Sequence, residues 1–258
     1  MKIADAIDED FWWNVAQNCS YATFFHTPLW HNLATMTFPD FKDVTVGINL
    51  SNGVRAVLPL LETKNIKGIG NTVQSTFAGC YGDLIADGPI DEEARQFIYE
   101  HLQSRRIGRI QISSNPIVEE AQDIPNCSAE EDFTQIVRLD TSFDKIFADF
   151  SKGHRSSYKK GLKMNVKVRK ATTLDDYHAY YGAYEDSLCR WGDRASSRYP
   201  RNLFENGFQL AQDFPDNIRL WLATVNEEIV AGAWVFYWNQ HVDWWHGAAY
   251  ANYFDHYR

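Results

Sequence analysis

The sequence has no CxxC pair and no cysteine cluster; Cys19, Cys80, Cys127 and Cys189 stand far apart. That excludes a thiolate metal site of the ribbon or finger type and a dense disulfide framework. It is the usage expected of reduced, mostly buried thiols in an intracellular protein, and no metal site is expected. Long apolar runs are missing too. The opening MKIADAIDEDFWW lacks the apolar stretch of a signal peptide, and no later segment is expected to span a membrane, which makes the cytoplasm the default compartment. Positive charge is scarce: 25 Lys and Arg face 34 Asp and Glu, for a net charge of −9. A chain of that sign does not coat nucleic acid non-specifically, because phosphate binding needs positive potential.

Aromatic residues, by contrast, are abundant at 15% of the chain. They favour well-filled cores and aromatic-lined clefts, and 258 residues can bury roughly 70–75% of their unfolded surface. The scarce cations are also unevenly placed. Between Asp149 and Asp175 there is no acidic residue, while Lys152, Arg155, Lys159, Lys160, Lys163, Lys167, Arg169 and Lys170 crowd together. On a helix, Arg155, Lys159 and Lys163 recur every four residues on one face, and Tyr158 and Leu162 then face a core. Two readings stand: a solvated basic face, or a surface that meets phosphates.

The order of elements is the most informative pattern. Phe11–Cys19 and Pro28–Thr37 read as helices. DVTVGINL, the turn SNG and VRAVLPLLET read as a hairpin, followed by the strand NTVQSTF and the glycine-punctuated AGCYGDLIADG. IDEEARQFIYEHLQSRR is a helix with an acidic first turn, and RIQISS and FTQIVRLD are strands. A second series follows. VKVRKA is a strand, and TLDDYHAYYGAYEDSLCRWG is a helix with a buried seam at Leu174, Tyr177, Tyr181, Tyr184, Leu188 and Trp191. PRNLFENGFQLAQDF is a helix, NIRLWLATV and IVAGAWVFYWN form a hairpin around NEE, and HVDWWHGAA is a third strand. Both halves run helix, helix, hairpin, third strand: an internal repeat at the level of elements.

Five stretches, in order, carry a resemblance: FFHTPLWHNL; VLPLLETK with FAGCYGDLI; HRSSYKKGLKMNVKVRKA; CRWGDRASSRYPRNLFENGF; and VAGAWVFYWNQHVDWWHGAAYANY. From Phe24 onward the chain resembles the Fem-type peptidyltransferases and the broader FemAB-like, GNAT-like acetyltransferase family. Lys160–Gly161 departs from the family's Lys-Ala, and Asp83 stands where a second glycine is common. The resemblance implies an α+β fold of tandem GNAT-like domains with mixed central sheets, residues 1–140 and 141–258. It also implies that the second is cut short, leaving Trp234, Phe236, Trp244 and Phe254 without cover; Tyr257 shares this position.

The implied activity is transfer of an acyl or aminoacyl group to an amine, which in the Fem proteins belongs to a peptidoglycan precursor. The donor is a co-substrate, aminoacyl-tRNA or acyl-CoA, with no permanently bound cofactor. The acceptor is a phosphorylated small molecule or cell-wall precursor, and charged tRNA is a further partner. A CoA-dependent N-acetyltransferase and a non-catalytic binding protein are the alternatives. The glycine-rich loop that cradles the pyrophosphate of CoA is not visible: AAYANYFDHYR has no glycine, AGCYGDLIADG has no base, and KGIGN at Lys67–Asn71 is a lone short turn.

Catalysis on such a scaffold is largely positioning, so the candidates are few. His246 is the candidate catalytic residue, as a group that orients substrate or relays a proton, weighed against a structural histidine. Asp243 is three residues away on a strand and is assigned to structure. The substrate-binding candidates are Tyr81 in the GCYGD turn, Arg155, Tyr158 and Lys159 on the basic helix, and Arg190 and Tyr199 flanking WGDRASS. Tyr158 reads either inward or toward a cleft.

Overall fold

Capping chemistry sets where the first helices begin. Asp8 accepts a 3.0 Å hydrogen bond from the Asp10 N–H at the start of α1 (Glu9–Asn18). Pro28 opens α2 (Pro28–Thr37), where its missing N–H has no helical partner to lose. The computed structural model describes residues 2–5, 7–64, 70–105, 107–118, 124, 126–195 and 197–254. Most of the KGIGN turn, together with Arg106 and Tyr257, lies outside the described residues. The chain divides into two units: Met1–Glu130 with Gln209–Ile218 and Phe236–Asp243, and Glu131–Phe208 with Arg219–Val235 and Trp244–Arg258.

The first unit holds two four-stranded sheets. One is antiparallel, in the order β1 (Lys2–Ala4), β3 (Val46–Asn49), β4 (Arg55–Leu58), β7 (Ile85–Ala86). The other runs β2 (Phe41–Asp43), β5 (Leu61–Lys64), β6 (Asn71–Gln74), β8 (Arg109–Gln111), with β6 and β8 parallel. The SNG turn closes β3 onto β4 with Gly53 at φ +87°, a backbone region open to glycine. Helix α3 (Glu92–Ser104), capped by Asp91, adds Ala94, Ile98, Tyr99 and Leu102 to the core of the first sheet. A second core surrounds the fully buried Trp30, whose ring stacks on Phe77 at 4.2 Å and meets Phe25 edge-on at 4.9 Å.

Further along the chain α4 (Phe143–Asp149) and α5 (Lys152–Lys163) lead into β9 (Lys167–Lys170), α6 (Leu174–Trp191) and α7 (Arg201–Asp213). The sheet follows in the order β12 (His241–Ala249), β11 (Glu228–Trp238), β10 (Ile218–Val225), β9. Thr173 and Asp176 form a reciprocal capping box at the start of α6, and Arg169 pairs with Asp176 at 2.6 Å. The Asp176 carboxyl is held down at about 2, first by the Arg169 guanidinium. Asn226 and Glu227, both at positive φ (49° and 69°), make the tight turn between β10 and β11. Two helices and a hairpin with a third strand thus recur, as the element order suggests. Among the described residues no helix is long and apolar enough to cross a membrane.

Several expectations are corrected. FTQIVRLD forms no strand: residues 133–140 are exposed and irregular, and among the described residues they join no sheet. An alternating pattern sets a strand only where a ladder partner accepts it. Helix α5 has no buried residue, so Tyr158 and Leu162, 44% and 61% exposed, face no core. The seam of α6 is shifted: Tyr177, Tyr180, Ala183, Tyr184 and Ser187 are buried, while Leu174 and Trp191 are exposed. Trp234 and Phe236 are fully buried, covered by Tyr177 and Phe204 in one case and by Phe24, stacked at 4.3 Å, in the other. Of the four, Trp244 alone is strongly exposed, and Phe254 is half-buried. Two cysteines expected to be buried, Cys127 and Cys189, are exposed.

Candidate functional site

Helix α6 organises the site of the second unit. Tyr180, Tyr184 and Ser187 follow at steps of four and three, so they line one side of the helix, which rises about 1.5 Å per residue. His246 of β12 meets the first two. Its Nδ1 lies 2.6 Å from the Tyr180 hydroxyl, and its ring centroid is 4.8 Å from Tyr184 and 5.9 Å from both Phe204 and Tyr199. Burial in this aromatic cage lowers the His246 pKa to about 4. The imidazole is therefore neutral near pH 7. We assign the tautomer in which Tyr180 donates to Nδ1 and the ring proton lies on Nε2. A neutral imidazole of such low basicity is a poor proton sink but a good hydrogen-bond donor, the form suited to polarising a carbonyl oxygen.

A cavity of about 540 Å³ opens further along the same side of α6. Ser187, Arg190 and Trp191 line it from the helix, Ala231 and Gly232 from β11, and Trp244, Trp245, Gly247, Ala248 and Ala249 from β12. His246 sits between two lining residues with its ring turned into the tyrosine cage. At Gly247 a Cβ would come within 3.2 Å of the Trp244 indole, which lies along the strand and donates to the His246 carbonyl at 3.2 Å. Arg190 donates to Ser187 Oγ at 2.9 Å and to the Ala249 carbonyl at 3.4 Å, and its guanidinium lies 4.4 Å from the Phe254 ring.

The remaining candidates fall into separate groups. Tyr199 joins the His246 cage: its N–H donates to the Tyr184 hydroxyl at 2.9 Å and its ring is 5.2 Å from Trp245. The rings of both Trp245 and His246 thus lie near Tyr199, at 5.2 and 5.9 Å. Arg155, Tyr158 and Lys159 sit on α5. Arg155 donates one nitrogen to the carbonyls of Ala148 (2.6 Å) and Phe150 (2.5 Å), closing the end of α4, while Lys159 is exposed. Tyr158 packs on Phe147 at 5.1 Å and Phe143 at 6.1 Å. In the first unit the Tyr81 hydroxyl donates to Asp243 Oδ1, and burial raises both pKa values. Asp243 Oδ2 is buried and unpartnered. Asp83, at the position of the family glycine, is bonded by Tyr99. Sequence reasoning missed Tyr180, left off the α6 seam in favour of Tyr181, and Trp244, set among residues awaiting cover.

His26 of the first unit is fully buried, with its pKa lowered to about 3 by burial. Unfolding releases it and His246 to the usual value near 6.5. Between pH 6.5 and 3–4 the unfolded chain binds more protons, so stability rises with pH across that window. Each histidine is expected to cost roughly 1–2 kcal/mol on moving from pH 7.5 to pH 5. Thermal melts at the two pH values check this, with His246→Gln shrinking the difference; an equal Tm at both pH values would contradict it.

Residues 148–258 match the family described as the acetyltransferase (GNAT) domain. The solved structures include the crystal structure of FemX, which superposes with a TM-score of 0.67 at 10% identity, covering 99% of this chain and 82% of that one. None of the curated proteins matches by sequence. Residues 148–258 thus carry the match to the GNAT acetyltransferase domain, which supports an acyltransferase. The chain as a whole shares its α+β fold with FemX.

Proposed function

We propose that this acyltransferase moves an acyl or aminoacyl group onto the amine of a phosphorylated acceptor, a precursor of a cell-wall or envelope polymer. The observation that carries the reading is α5: twelve residues with none buried and no acid, in a chain of net charge −9. Lys159 and Arg155 supply cations to the phosphates, and Tyr158 presents a ring beside them. Arg190 and Tyr199 contact the rest of the substrate. The acceptor nitrogen attacks the acyl carbon, a C–N bond forms, the C–S or C–O bond to the donor breaks, and the amine proton leaves with the donor or to water. His246 Nε2–H steadies the carbonyl oxygen as charge develops on it. The description matched over residues 148–258 favours acyl-CoA as donor; aminoacyl-tRNA is the second reading, supported by the FemX-like fold.

Binding of a nucleotide-diphosphate-linked amino-sugar peptide to the full chain, followed calorimetrically, tests the α5 assignment. Replacing Arg155 and Lys159 together by Ala is expected to weaken binding roughly tenfold or more, with a reduced salt dependence, since such contacts are screened within about 8–10 Å. Lys167→Ala, beyond the helix and only 4.0 Å from Glu227, is expected to matter less. Equal losses at all three positions would return α5 to a solvated face.

A further inference from the structure

The cavity beside α6 has a composition that α5 lacks. Its walls are indole, alanine and glycine with one serine, and Arg190 is the one cation among its lining residues. Trp244 stands at the lining with 74% of its surface exposed, a large apolar side chain that the fold itself does not cover. Arg190 Nη2 is committed to Ser187 and Ala249, but Nη1 is buried and, among the described residues, has no hydrogen-bond partner. A buried guanidinium nitrogen left unpaired costs free energy that an anion can recover. Phe254, over the guanidinium at 4.4 Å, screens it from water and strengthens whatever it binds.

From these features we infer that the cavity is a carboxylate site: it takes a ligand whose carboxylate meets Arg190 and whose flat or apolar body lies on Trp244. A monoanion is specified because the lining offers one positive charge. A dianionic phosphate in the same place would leave a negative charge unpaired among indoles, which is costly. The inference rests on the transferase reading in one respect: it makes the acceptor, or the acyl group itself, amino-acid-like, carrying a carboxylate apart from the amine and from any phosphate held at α5. Arg190 thereby becomes a specificity residue, and Trp244 a stacking surface.

Hippurate, a carboxylate on a planar aromatic body, and its uncharged amide are the probes, titrated into the full chain while tryptophan fluorescence is followed. Hippurate is expected to bind saturably, at least about tenfold tighter than the amide. Arg190→Gln is expected to abolish the preference for the acid. Arg190 also ties α6 to the end of β12, so Trp244→Ala, at an exposed position, is the second variant; it is expected to weaken both probes several-fold while keeping the acid preferred. Equal affinity of the two probes for the unaltered chain, no saturable binding of hippurate up to 10 mM (about 2.7 kcal/mol of binding free energy), or an acid preference that survives in a folded Arg190→Gln would each overturn the assignment. Hippurate carries no phosphate and needs no acyl donor. Its binding therefore succeeds or fails independently of the Arg155 and Lys159 test.

Discussion

His246→Ala is expected to lower amide formation by roughly 10²–10⁴-fold while leaving the chain folded. The expectation follows from the protonation state. With a pKa near 4 and Tyr180 on Nδ1, His246 offers Nε2–H as a fixed donor and has little capacity to take a proton. Two consequences separate this role from that of a general base. His246→Gln retains an N–H of similar reach and is expected to recover part of the loss. The rate of the unaltered enzyme is expected to show no break near pH 6.5 from this group, because it remains neutral down to about pH 4. A pH–rate profile with an inflection near 6.5 that vanishes in His246→Gln would make it a base after all. Full activity in a folded His246→Ala would make it a packing residue.

Gly207→Ala is expected to destabilise the protein by roughly 1–3 kcal/mol, a sign opposite to helix propensity. At an exposed helical position the same change gains up to about 1 kcal/mol. In α7, however, an added Cβ would lie 2.1 and 2.3 Å from two ring atoms of Trp234, which is fully buried. That indole meets Tyr177 at 5.8 Å and Phe204 at 5.4 Å, and the aromatic wall around it leaves little room for it to retreat. Thermal or denaturant unfolding measures the loss. An unchanged or raised midpoint would show that the ring moves freely, and that the aromatic cage is softer than its burial implies.

Much of this was legible in the sequence. The SNG and NEE turns, the Asp-rich helix starts and the two series of helix, helix and hairpin are local signals, and the structure has them where they were expected. What was not legible depended on one-residue choices or on distant partners. In AYYGAY the seam of α6 could run through Tyr180 or Tyr181, since both fit a step of three or four from Tyr177. Tertiary packing selected Tyr180, and with it the partner of His246. FTQIVRLD has strand-forming residues in alternation, yet its sequence carries no information on whether a neighbouring strand accepts it. Tyr158 and Leu162 recur at helical spacing, but spacing says which residues share a side, not what covers that side. The cavity required Trp244, Gly247 and Arg190 to converge from strand and helix, a juxtaposition that no single motif encodes.

The central claim is that this chain forms an amide on an amine acceptor at the His246 end of α6. Mass spectrometry of an amine-bearing, phosphorylated peptide acceptor, incubated with acyl-CoA or with aminoacylated tRNA, tests it most directly when the unaltered chain and His246→Ala are run side by side. The account predicts an acceptor heavier by the acyl or aminoacyl residue in the first reaction, and a yield reduced by at least about a hundredfold in the second. Acylated acceptor appearing at equal rates in both reactions, or in neither, would contradict it.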